Sequence, residues 1–128
     1  MLLPARRKNR RMPRFLAVYT MKPEDLARFR SLPKPEQDTI DAVGLQLWAD
    51  WEERNAAFFP DRGGMVGKTR RVTRDGIADA VNPFCGYIVV EADTIDAAAR
   101  LFENHPHFTV FPGDGVDIMP FLTDPAPT

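Results

Sequence analysis

Apolar positions along this chain follow two periods, and the order in which those periods alternate predicts the fold. Phe15 to Met21 is rich in β-branched and aromatic residues and stops at Lys22-Pro23, so it reads as a strand. Nearly every position in it is apolar, which predicts cover on both faces. A short helical segment is expected around Glu24 to Phe29, before Pro33 and Pro35 break it. From about Pro35 to Phe58 the spacing becomes helical. Ile40, Val43, Leu47, Trp51 and Phe58 share one stripe, with Gly44 inside it and Trp48 at its edge.

Arg62-Gly63-Gly64 then predicts a turn, and Met65 to Val72 a second strand. The alternation in that strand is polar, as on a sheet edge or in the lining of a cavity. Asp75-Gly76 is a hairpin signal, and Asn82-Pro83 closes the connection. Phe84 to Glu91 is the most apolar strand of the chain. Thr94 suits an N-cap, and Ile95, Ala98, Ala99 and Phe102 line one face of a second helix that runs to His105-Pro106. Pro112-Gly113-Asp114-Gly115 turns the chain into a last strand, Val116 to Phe121.

Strand, helix, strand, strand, helix, strand is the order of an α+β domain. It predicts a ferredoxin-like βαββαβ protomer, a four-stranded antiparallel sheet with its helices on one face. Two helices with one apolar stripe each cover only that face. The strands are nonetheless apolar on both, so the open face calls for a second copy packed sheet against sheet. The expected assembly is a homodimer, a dimeric α+β barrel.

Composition narrows the picture. A chain of 128 residues, 44% apolar and 27% charged, fits one globular core. Its longest apolar runs are strand-length, far short of the about 20 residues of a membrane span. Residues 1–14 hold six basic side chains and no acidic one. Setting aside residues 1–11 leaves 12 basic against 18 acidic side chains, a net charge of −6. An acidic body argues against a broad nucleic-acid face. The tail of residues 1–11 reads as a disordered extension or an upstream start, with Met12 then the first residue of a domain 12–128. A nucleic-acid-binding arm is the competing reading. It does not have the form of a signal peptide. One cysteine, Cys85, excludes an intrachain disulfide, and a cytoplasmic setting is expected.

Candidate chemistry gathers near the second helix. His105 and His107 flank Pro106. His105 at the rim of the barrel, doing little packing, would serve as a general base; otherwise it is a helix C-terminal residue favoured by the dipole. Two histidines are too few for a metal site, and neither metal nor cofactor is expected. Trp48, Tyr19, Arg71 and His107 are the candidate pocket residues. Trp51 reads as core. Arg70 and Arg71 point to opposite faces of their strand, so one of them faces inward or toward a partner, where an arginine would select an anion. Cys85, in an apolar strand, reads as core and not as a nucleophile.

Three stretches resemble the YCII-related (DGPF-type) family of small bacterial proteins. They are Leu47-Trp48-Ala49-Asp50-Trp51; Gly67-Lys68-Thr69 continuing through Asp75-Gly76 to Asn82-Pro83-Phe84-Cys85-Gly86-Tyr87; and Val90 to Ala98 followed by His105-Pro106-His107 and Gly115-Val116-Asp117-Ile118. Together they span residues 45–121. The resemblance implies the dimeric α+β barrel. In some relatives a histidine on the long helix pairs with an aspartate before the proline that ends the second helix. That aspartate position corresponds to His105 here, and Asp41 to Phe58 contains no histidine. The expected function is binding of a small anionic or aromatic molecule, with isomerase- or lyase-like proton transfer as its enzymatic form. The alternative is a non-catalytic interaction or regulatory module.

Overall fold

A computed structural model describes residues 12–124; the basic tail of residues 1–11 lies outside them. The first strand, β1 (Arg14–Thr20), leads into helices α1 (Pro23–Arg30) and α2 (Lys34–Arg54). Strand β2 (Asp61–Met65) and a hairpin of β3 (Thr69–Thr73) and β4 (Gly76–Ala80) follow. The chain ends with β5 (Phe84–Glu91), helices α3 (Ile95–Arg100) and α4 (Pro106–Thr109), and β6 (Gly115–Pro120). The result is a mixed α+β fold with a four-stranded antiparallel sheet in the order β2-β5-β1-β6 and a separate two-stranded sheet β3-β4. No helix of the described residues is long and apolar enough to cross a membrane.

Register explains the burial. Phe15, Ala17 and Tyr19 of β1 stand opposite Val90, Ile88 and Gly86 of β5, and they share one face by the period of two. Phe15, Ala17, Tyr19, Ile88 and Val90 join Trp51, Phe59, Ala98 and Phe102 in a single core cluster. On the other face Leu16 is opposite Val89 and Met119, and Val18 opposite Tyr87 and Asp117. Arg14 closes the structure at one end with a two-pronged bond to Asp124, at 2.8 and 2.6 Å.

Sequence expectations are corrected in both the strands and the helices. Met65 to Val72 is not one strand: β2 ends at Met65, and the polar alternation belongs to the hairpin that starts at Thr69. Arg62-Gly63-Gly64 is not a turn but a bulged part of β2, where the register shifts between Asp61 and Gly64. Gly63 permits this with φ of 61°, and a Cβ there would collide with the Tyr87 carbonyl.

The second helix ends at Arg100, not at His105. Beyond it the amides of Leu101, Phe102 and Glu103 bond back three residues, and Asn104 turns the chain with φ of 59°. Thr94 does cap α3, accepting from the Ala97 amide at 3.0 Å. On α2 the inward stripe is Ile40, Gly44, Trp48 and Trp51, while Val43 and Leu47 are exposed. A helix rests on a sheet along whichever stripe admits the closest approach, and buried Gly44, against the Phe111 ring, sets that line. Phe58 falls in a short 3₁₀ turn, and Phe59 takes its expected place in the core.

Candidate functional site

Trp48 on α2 and Tyr19 on β1 meet where the helix crosses the end of the strand, their ring centroids 4.9 Å apart. The short helix α4 delivers His107 to the same point, 5.1 Å from Tyr19 and 6.0 Å from Trp48. A cavity of about 490 Å³ opens there, floored by Tyr19 and Ile88 and walled by Trp48, His107 and Phe111. Glu52, Arg62 and Met65 form its mouth, with Arg62 Nη1 3.9 Å from Glu52 Oε2. A concave, mostly aromatic volume with a few polar atoms is the usual form of a small-ligand pocket.

The histidines are placed by backbone geometry. His105 N-caps α4: its Nδ1 accepts from the His107 amide at 2.9 Å. It is not at the rim, because its exposure is 0%. Nor is it a C-terminal helix residue, since it starts a helical turn. Trp51, Trp48, Tyr19 and Phe102 surround it, with centroids 4.4, 4.5, 5.3 and 5.8 Å away. Burial, with a smaller contribution from His107, lowers its pKa to about 3.

A neutral His105 whose Nδ1 accepts must carry its proton on Nε2. That N–H is 3.5 Å from Tyr19 Oη and donates to it. The phenol oxygen is thereby engaged as acceptor, leaving the Tyr19 O–H free to donate. Burial above all keeps this phenol protonated, raising its pKa, with Glu52 adding to the effect.

The same reasoning fixes His107. Its Nε2 lies 2.7 Å from the Thr20 carbonyl, which only accepts, so Nε2–H donates. Nδ1 is then an unprotonated acceptor with no hydrogen-bond partner among the described residues. Those residues contain no fully buried side-chain nitrogen or oxygen lacking a partner, so Nδ1 is not wholly sealed, although the residue is only 1% exposed. Burial lowers the His107 pKa, against the opposing pull of the Thr20 carbonyl and Asp114.

Of the residues singled out from sequence, Tyr19, Trp48 and His107 line the cavity, and His105 stands behind them. Arg71 does not join them. It sits exposed on the projecting hairpin, beside Arg70, whose Nη1 donates to Asp79 at 2.9 Å. Cys85 is half-buried, its thiol bonded to the Tyr19 carbonyl at 3.3 Å and its pKa raised by burial.

Glu52, Arg62 and Phe111 escaped the sequence reading. Glu52 was findable, four residues after Trp48 and so on the same helix face. Arg62 was hidden in what read as a turn, and Phe111 follows a helix too short to show a period. Among the described residues no cluster of histidine, cysteine and carboxylate side chains could hold a metal ion. Comparison with models of known protein families and with curated proteins finds no match to this chain.

Proposed function

We propose that this chain binds a small molecule between Trp48, Tyr19 and His107, and that the pocket can perform cofactor-free proton transfer of the isomerase or lyase kind. The carrying observation is that two residues of opposite hydrogen-bonding role, Tyr19 as O–H donor and His107 as Nδ1 acceptor, line one aromatic cavity. Nδ1 would take a proton from a carbon beside a carbonyl, and the Tyr19 O–H would donate to the oxygen as negative charge develops on it. Return of that proton to a different carbon completes an isomerisation; loss of a leaving group from the same carbanion completes an elimination.

A YCII-related, ferredoxin-like protomer in a dimeric α+β barrel is the assembly proposed to carry this pocket. The strand order β2-β5-β1-β6 and the apolar Leu16, Val18, Val89 and Met119 on the face away from the helices support it. The second reading, a non-catalytic interaction module, is favoured by the hairpin. Val72 and Ile77 face each other there, 72% and 64% exposed, on an arm that offers them no core.

A thermal-shift screen of aromatic fragments tests the first reading, run on the native chain and on Ala49→Trp, which fills the cavity. Fragments that stabilise the native chain and not the filled variant support it. No fragment separating the two proteins would leave the interaction module.

A further inference from the structure

The polar atoms inside the cavity define what can enter it. Tyr19 offers one O–H donor and His107 one lone pair, and their rings lie 5.1 Å apart. The charged side chains that line the same cavity are Glu52 and Arg62. They lie 3.9 Å apart at the mouth, and Glu52 is near enough to Tyr19 to add to the rise in its pKa, so negative charge already stands beside the phenol. Both histidines are held neutral by burial. An anion pushed to the floor would meet the His107 lone pair and the Glu52 charge, with Arg62 already beside Glu52, and leaving water would be poorly rewarded. The walls are flat: Trp48, Tyr19 and Phe111 present ring faces and edges. About 490 Å³ accommodates one or two fused rings.

We infer that the pocket takes a neutral, planar aromatic molecule whose inner edge sets a hydrogen-bond acceptor beside a donor, as a lactam, amide or enol does. The acceptor receives the Tyr19 O–H, and the donor bonds His107 Nδ1. This rests on the cavity being the ligand site, and it resolves the choice between anionic and aromatic ligands in favour of an uncharged ring.

Three probes of similar size separate the outcomes by calorimetry at pH 7.5: 2-quinolinone, N-methyl-2-quinolinone and 2-naphthoate. 2-Quinolinone should bind about tenfold or more tightly than either of the others, the usual consequence of one unmet buried hydrogen bond. Tyr19→Phe, with its folding verified by melting, should weaken 2-quinolinone and its N-methyl derivative alike, since both keep the carbonyl that would meet the phenol, and Ala49→Trp should abolish binding. Equal affinity for all three probes would overturn the ligand class while the pocket reading stands. Tightest binding of 2-naphthoate would overturn it in favour of an anion. No binding by any of the three, with fragments also failing to distinguish Ala49→Trp, would overturn both readings.

Discussion

Tyr19 and His105 are joined by a bond of 3.5 Å between Oη and Nε2, and this makes the buried histidine a support of the pocket instead of one of its walls. His105 sets the direction in which the phenol donates, while its own ring is out of reach. A residue expected from sequence to do little packing is among the largest fully buried side chains.

His105→Ala should therefore be costly. It empties a site lined by four aromatic rings and deletes the cap of α4, so a loss of about 2–4 kcal/mol is expected. Urea denaturation measures it, and a loss below about 0.5 kcal/mol would show that the ring packs loosely.

Acid should weaken the fold through both histidines. Their folded pKa values are lowered, so the unfolded chain takes up these protons first as pH falls. Stability is fully present above about pH 6.5 and declines below it, for His105 down to about pH 3. The slope approaches about 1.4 kcal/mol per pH unit for each histidine. With only two histidines in the chain, no other imidazole contributes. Denaturation midpoints between pH 7.5 and 5 measure this, in a window above most carboxylate titration; a flat profile would contradict neutral burial.

Gly113 wraps His107 so closely that an added methyl would strike both its carbonyl and its imidazole. Gly113→Ala should cost about 1–3 kcal/mol, as overpacking does. It should also loosen the Nε2 bond to Thr20 and release the tautomer, so ligand preference should fall along with stability. Melting and probe binding measured together test this; unchanged preference in a destabilised variant would separate His107 from recognition.

Assembly is testable by sedimentation. A dimer should run at twice the 14.5 kDa chain mass, and Val18→Glu, on the sheet face away from the core, should shift it to monomer. A native chain that is monomeric at micromolar concentration would remove the face-to-face arrangement.

Much of this fold was legible because strands and helices carry their own periods. β5 emerged with its observed ends, and Thr94, Asp75-Gly76 and the strands β1 and β6 came from local chemistry that tertiary packing did not override. What was lost depended on contacts remote in sequence. Gly63 looks like a turn until Tyr87 lies against it, and the α2 stripe follows the Phe111 ring, not the largest apolar residues. Trp48, Tyr19 and His107 were legible as candidates from residue type alone. Their roles required hydrogen bonds from Thr20 and His105, which no spacing reveals.

The bulge at Gly63 also has a bearing on how copies of this chain can meet. β2 and β6 are the rims of the sheet, where unpaired amides and carbonyls could recruit a foreign strand. On β2 the rim is bent by the register shift, and the Gly63 amide is turned back onto Asp61 Oδ1 at 2.9 Å. β6 ends in Pro120, which has no amide to give. The bend makes β2 a poor template and the proline shortens what β6 can offer, so growth of the sheet from chain to chain is discouraged on both sides.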